Sequence, residues 1–493
     1  MVEIFTKIFT ILKNKCLQAV NTCVILSLIH IFAAASADKR KERKTFMKRK
    51  LTVRETIAVA SMLFGLFFGA GNLIFPVHMG QAAGSASVMA TVGFIITGVG
   101  LPLLGVAAMG ISRSESLADL AGQVSRGYGL FFTVLLYLTI GPCFAIPRCA
   151  STSFTVGVVP LLQGGEEKVW LLLFSALFFL LVLYFSLRPS HILTWVGRVI
   201  NPVFLVFLSS LIIASLVFPM AKVSQIAPEG AYVSDAMMTG FLEGYNTMDT
   251  LAALAFGITV IQVLRQLGIR EPEDLAKSTC LSGLFSCLLM ALIYALITWM
   301  GAQSRGVFAT SENGGIALAD IAHHYFGRAG QLILAATVTL ACLKTSIGLV
   351  TSCAETFALL FPKVSYKSFT VLFSLFPLVI SNLGLTTIIT VSLPVLMFLY
   401  PMSITLILLT LFGRFFGHDR RVFASVTAFT LVAAFLDLLN AMPAGAKAAL
   451  RVEGLLTWAN GAVPLFSRGM GWVLPGALGL VLGLFLRALK PQN

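Results

Sequence analysis

The sequence predicts an all-α polytopic membrane protein, and three observations carry that prediction. Of 493 residues, 57% are hydrophobic and only 11% charged, where a soluble domain carries roughly 25% charged residues; mean hydropathy is +0.91. Apolar runs recur along nearly the whole chain, each near the ~20 residues that let a helix cross a ~30 Å hydrocarbon layer. These runs lack the alternation over ~10 residues that marks a transmembrane barrel strand.

The net charge of +14 would suggest a nucleic-acid partner in a soluble protein. Here Lys and Arg fall in the loops, where the positive-inside rule places them on the cytoplasmic face of a lipid bilayer, so no nucleic-acid partner is expected. Eight cysteines lie mostly inside hydrophobic segments with no close C-x-x-C pair, which reads as small apolar packing residues rather than a disulfide framework or zinc site.

Residues 1–50 differ from the rest. An apolar run from Cys23 to Ala37 ends in Ala-Ser-Ala, like a signal-peptide cleavage site, but the basic cluster Lys39 to Lys50 follows directly. That cluster would hold the segment in the cytoplasm, whereas a cleaved signal would leave it outside. The expected division is a non-core extension over residues 1–50, with Met47 as an alternative start, and one membrane domain over 51–493.

About twelve spans follow: Glu55 to Met79, Ser87 to Gly110, Leu130 to Ala150, Val169 to Leu187, Gly197 to Pro219, Met237 to Val263, Leu281 to Met300, Gly330 to Phe357, Phe369 to Leu383, Thr387 to Phe412, Phe423 to Asn440 and Trp472 to Ala488. If the first starts in the cytoplasm, about eighteen Lys and Arg fall in inner loops, among them Arg54, Arg265, Lys363 and Arg421. Seven fall in outer ones: Lys168, Lys222, Arg305, Arg328, Lys447, Arg451 and Arg468. The excess predicts both core termini in the cytoplasm.

The first span reads Met62-Leu-Phe-Gly-Leu-Phe-Phe-Gly-Ala-Gly-Asn-Leu-Ile-Phe-Pro76. Glycine weakens a helix, and an unmet backbone group at mid-membrane costs several kcal/mol. Gly65 and Gly69 could form a close packing face, but that does not explain Gly71 and Asn72 at the same depth. An unwound turn does. Five spans later, Gly240-Phe-Leu-Glu-Gly-Tyr-Asn-Thr-Met-Asp249 interrupts a span of opposite direction. Paired interruptions in inverted halves point to a secondary transporter's central site. A half-helix N-terminus suits a carboxylate, and freed carbonyls suit a cation, so an amino acid fits the pair. Phe64, Phe67, Phe68, Leu73 and Ile74 around the break suit an apolar side chain.

The eighth span carries Cys342-Leu-Lys-Thr-Ser346. Its hydroxyls could bond back to the helix, but an intramembrane lysine normally faces a cavity or partner. Lys344 could carry a proton, pair with Asp249 or Glu355, or reach for an interface. Arg148, in Gly141-Pro-Cys-Phe-Ala-Ile-Pro-Arg148 near the outer end of the third span, is expected to anchor structure or gate access. The adjacent pair His323-His324 is expected in an outer loop. No Walker sequence, H-E-x-x-H pattern, channel filter or nucleophile elbow is present, so a nucleotide-driven pump and an enzyme are not expected.

These residues resemble a known family. Leu66-Phe-Phe-Gly-Ala-Gly-Asn-Leu-Ile-Phe-Pro76, the Gly141 to Arg148 segment, Gly244-Tyr-Asn-Thr-Met-Asp-Thr-Leu251, Ala341-Cys-Leu-Lys-Thr-Ser-Ile-Gly-Leu-Val350 and Ser381-Asn-Leu-Gly384 resemble the bacterial branched-chain amino acid carriers (system II, LIVCS), in order from about Leu51 to the C-terminus. The resemblance implies uptake of leucine, isoleucine and valine across the cytoplasmic membrane with a sodium or proton gradient and no other cofactor, on a LeuT-like fold of five-plus-five inverted repeats. It would place the carbonyls of Gly65 and Phe68 and the hydroxyls of Thr345 and Ser346 around the cation. Amides of Ala70 and Gly71 would meet the substrate carboxylate, Asn72 would add a polar contact, and Tyr245, Asn246, Thr247 and Asp249 would close the pocket. Lys344 beside the hydroxyls is unlike a plain sodium cage. The alternative is a proton-coupled carrier of another neutral amino acid on the same fold.

Overall fold

The computed structural model describes residues 51–489 other than 70, 113, 115, 163–165, 188–191 and 270. The expected extension over residues 1–50 and the expected ligand Ala70 therefore lie outside the described residues.

Every regular element among the described residues is helical. The first span is two helices, α1 (Val53–Phe67) and α2 (Gly71–Ala83), and the second is α3 (Ser87–Ile95) and α4 (Leu101–Ser112). A short α5 (Leu117–Gly122) leads to the third, α6 (Arg126–Leu138) and α7 (Ala145–Gly157). The fourth and fifth are α8 (Glu167–Leu187) and α9 (Ile192–Val217), and the sixth is again two helices, α10 (Tyr232–Glu243) and α11 (Asp249–Gln266). Then come α12 (Pro272–Ser304), α13 (Gly314–Leu360), α14 (Tyr366–Ser381), α15 (Leu385–Phe412) and α16 (Arg420–Ala441). Short helices α17 (Ala444–Leu450) and α18 (Glu453–Ala462) precede the last span, α19 (Val473–Leu489). Among the described residues, seven helical runs are long and apolar enough to cross a membrane by length and composition alone. Neither α1 nor either half of the sixth span is among them, and Leu205–Val217, Tyr366–Ser381 and Val473–Leu489 are shorter apolar helices. Large apolar side chains on the outside of the bundle, such as Val432, Val481 and Phe485, are exposed, as lipid-facing residues are in a multi-pass protein.

Local chemistry sets the helix ends. Thr52 caps α1 through the Glu55 amide at 3.2 Å, and Glu55 returns the bond to the Thr52 amide at 2.9 Å, satisfying amides that a helix start leaves free. Asn313 caps α13 through the amides of Gly315 and Ile316 at 3.0 and 3.2 Å. This cap starts the helix at Gly314, earlier than expected, so His323 and His324 are exposed but helical rather than in a loop. The expected span boundary survives as a kink at Gly327 (φ 59°, ψ −151°). The third span also differs from a single helix. Gly141 leaves helical geometry (φ −99°, ψ −120°) beside Pro142, and a π-turn over Thr139–Cys143 divides it.

The two broken spans are packed in related ways. Both α1 and α2 lie along the unbroken α12, while α10 packs on α3 and α11 on α4. Glycines bring the backbones together: Gly301 lies against the Val77 carbonyl and Gly80 against that of Thr298, the close approach that small residues permit between membrane helices. The second span turns through a π-turn, Ile96–Gly100, at the level of the sixth span's break. There the Thr97 hydroxyl donates to the Phe241 carbonyl at 2.7 Å and lies against Gly244.

Candidate functional site

Both breaks fall where the sequence predicts them. α1 ends at Phe67. Phe68 turns extended (φ −75°, ψ 96°), its amide still donating to the Phe64 carbonyl at 2.8 Å, and α2 starts at Gly71. In the sixth span a tight turn, Gly244–Thr247, is followed by Met248 in the left-handed region (φ 62°, ψ 13°), and α11 starts at Asp249. A left-handed residue bearing a Cβ costs roughly 1–2 kcal/mol, strain of the kind that collects at functional sites. Asp249 places a carboxylate at a helix N-terminus, where the macrodipole favours it.

A polar cluster ties the two breaks together. Asn72 is buried, and its amide nitrogen donates to Asp249 Oδ2 at 2.6 Å and to the Tyr294 hydroxyl of α12. Its oxygen accepts from the Gly69 amide at 2.9 Å, and Tyr294 in turn donates to Asp249 Oδ2 at 3.2 Å. Asp249 is 2% exposed, so a carboxylate held at mid-bundle has two side-chain donors.

Beside this cluster lies a cavity of about 310 Å³, at the lower end of the roughly 300–1,000 Å³ of small-molecule sites. Gly65, Gly69, Gly71 and Asn72 line it from the first span, Thr247, Met248 and Asp249 from the sixth, and Lys344 and Thr345 from α13. Phe67, Ile140, Ala145, Ala252, Phe256 and Leu349 add an apolar wall. The wall continues along one face of α13 through Gly348 and Ser352 to Glu355, about 16 Å of helix beyond Lys344.

Not every expected site residue reaches the cavity. Phe68 is half-buried and off its wall. Tyr245 is fully buried and stacks on Tyr400 with ring centres 3.9 Å apart, and the Asn246 side chain donates to Glu243 at 2.6 Å. Of the hydroxyl pair, Thr345 lines the cavity and donates to the Ala341 carbonyl at 3.0 Å. Ser346 is fully buried outside the wall, because adjacent helical residues point about 100° apart.

Two residues enter the site that sequence reasoning did not place there. Tyr294 sits in an ordinary apolar run and gave no signal. Arg148, expected near the end of its span, is buried on the cavity wall. Its helix resumes after Pro142 and runs on to Gly157, which puts it at the level of the breaks. The signal was present: between Arg126 and Glu166 it is the only charged residue.

With this geometry in view, the comparisons with known proteins are decisive. A family described as "Branched-chain amino acid transport protein" matches residues 52–490. The chain belongs to that family. It is therefore a membrane carrier of branched-chain amino acids and not an enzyme. Similar proteins include the branched-chain amino acid permease BrnQ of Lactobacillus delbrueckii subsp. lactis, 48% identical over 87% of this chain and 96% of the relative. The permease BraB of Bacillus subtilis is 39% identical over 89% and 97%. The branched-chain amino acid transport system 2 carrier protein of Pseudomonas aeruginosa is 39% identical over 89% and 98%. Among solved structures, Mhp1 in an inward-facing conformation superposes with a TM-score of 0.57 at 13% identity, covering 88% of this chain and 91% of that one. MhsT in complex with L-phenylalanine gives 0.52 at 13%, covering 89% and 99%. At such identities the likeness speaks for the fold alone, and it is the LeuT-like fold expected of this carrier.

Proposed function

We propose that the carrier imports leucine, isoleucine and valine into a bacterial cell with a coupling cation, by alternating access around the cavity at the two helix breaks. The observation that carries this reading is the meeting of the Gly71 helix N-terminus, the Asp249 carboxylate and an apolar wall in one cavity. A zwitterion with an aliphatic side chain presents one group to each. The amide end of α2 suits the carboxylate, Asp249 suits the ammonium, and Phe67, Ile140, Phe256 and Leu349 surround the side chain.

The cavity wall lies on one side of the breaks: before the break on α1, after it on α11, and towards the end of α13. Those ends meet Arg54, Arg265 and Lys363, the basic side that the positive-inside rule assigns to the cytoplasm. The arrangement is an inward-facing state, with both core termini cytoplasmic. Gly65, Thr345 and Lys344 are the groups assigned to cation coupling, sodium through the oxygens or a proton through the lysine. Phe68 and Ser346, which lie off the cavity wall, complete the proposed cation set. Residues 1–50 are assigned to an extension outside the core of 51–493, so a chain starting at Met47 transports as the full chain does.

The test is radiolabelled leucine uptake into proteoliposomes, with sodium and pH gradients imposed separately. Accumulation under one gradient supports the reading and names the ion; no accumulation under either would sink it. Competition by isoleucine and valine, but not by other neutral amino acids, separates this reading from a carrier of different cargo.

A further inference from the structure

Arg148 has surroundings that the helix breaks alone do not explain. It stands one turn into α7, with its amide on the Phe144 carbonyl at 3.0 Å, and is 4% exposed. Nη1 donates to the Asn246 carbonyl in the sixth-span break at 2.6 Å, and the guanidinium carbon lies 5.1 Å from the Phe75 ring centre. Nη2 lies 2.9 Å from where a Cβ on Gly71 would stand. The fork is thus laid against the first residue of α2, on the cavity wall, and Nη2 meets no hydrogen-bond acceptor among the described residues.

This puts two positive ends side by side. A helix N-terminus carries roughly half a positive charge, and the guanidinium a full one that cannot be shed in proteins. Within a membrane protein such a juxtaposition repels strongly. Asp249 is the carboxylate nearest the breaks on the wall, and Asn72 and Tyr294 already hold one of its oxygens. A small anionic group in the cavity, beside both Nη2 and the start of α2, would satisfy both donors, and a fork of N–H groups matches a carboxylate's two oxygens.

We propose that Arg148 is a ligand of the substrate's carboxylate and the residue by which the carrier rejects amines and amides that lack one. This rests on the reading of the cavity as an amino-acid site and deepens it. The substrate is recognised at both ends, its carboxylate by Arg148 with the first turn of α2 and its ammonium by Asp249. Gly71 is glycine because any side chain there would displace the fork.

The experiment measures competition against radiolabelled leucine by purified carrier, using leucine, 3-methylbutylamine (the same side chain without the carboxylate) and 4-methylpentanoate (without the ammonium). The wild type prefers leucine to 3-methylbutylamine. In Arg148→Gln, leucine weakens about 100-fold, as loss of a charged hydrogen-bonded partner does, while the amine weakens less than about threefold; 4-methylpentanoate no longer competes. Arg148→Lys, which keeps the charge without the fork, falls between. If Arg148 only straps the sixth-span break in place, leucine and the amine weaken by the same factor, and the proposal is overturned. It is also overturned if the wild type binds the amine as tightly as leucine. Should Arg148→Gln not fold, Gly71→Ala displaces Nη2 with the arginine retained and must show the same selective loss. A wild type that binds no leucine defeats the functional reading instead, so the two failures are told apart.

Discussion

Asn72 and Asp249, 177 positions apart in the chain, are joined by a hydrogen bond of 2.6 Å that links one helix break to the other. Each sits in the first turn of its half-helix, so the bond holds two helix starts together. Replacing Asp249 by Asn preserves shape and removes charge. Leucine affinity is expected to fall by about tenfold or more, the scale of one lost charged contact. In a double-mutant cycle with Asn72→Ala, equilibrium leucine binding should show a coupling of about 0.5–3 kcal/mol, the range for contacting residues. Additive effects would mean the bond carries no binding energy.

Lys344 and Thr345 share the cavity wall with Gly65, and their substitution separates the two coupling schemes. If a proton drives uptake, Lys344→Ala abolishes accumulation under a pH gradient while leucine exchange at equal concentrations persists. If sodium does, Thr345→Ala raises the sodium concentration needed for half-maximal uptake by about tenfold, the loss of one cation ligand, and Lys344→Ala leaves the sodium requirement in place. Uptake that follows the same ion equally well in both variants removes these residues from coupling.

Gly301 faces the Val77 backbone so closely that a Cβ would stand 2.9 Å from its carbonyl carbon. Gly301→Ala must therefore push α2 from α12, and overpacking of this kind costs about 1–3 kcal/mol. The expected result is a lower melting temperature in detergent. Gly454→Ala, where nothing lies within 4 Å of the added carbon, should leave it unchanged or raise it.

Ser352 lies on the part of the cavity wall that runs towards the end of α13. Ser352→Cys, in a background with Cys149 replaced by Ser, should react with a membrane-impermeant thiol reagent in inside-out vesicles and not in right-side-out ones. Reaction from the opposite face alone would reverse the assigned orientation.

How much of this was legible depends on what each residue violates. Glycine, asparagine and aspartate inside apolar runs break both the helix and the hydropathy pattern, so both interruptions and their inverted relation could be read directly. Thr345 and Ser346 break neither rule differently from one another; which faces the cavity depends on helix rotation, and only one does. Arg148 was visible as a charge in an apolar run, but its depth depends on where the helix resumes after Gly141 and Pro142, which no local pattern fixes. Tyr294 resembles the aromatics around it, and its part in the cluster comes from tertiary placement alone.

The two broken spans are backed by different neighbours. Both halves of the first lie on α12, one continuous rod of 33 residues, which splints that break from end to end. The halves of the sixth lie on α3 and α4, themselves separated by a π-turn at the same level. A crease therefore runs through two neighbouring spans at once, and flexing along it keeps α10 on α3 and α11 on α4. Met248 and the Thr97 to Gly244 contact lie on that fold line, and α12, which packs on α3 and α4 as well as on both halves of the first span, runs past it.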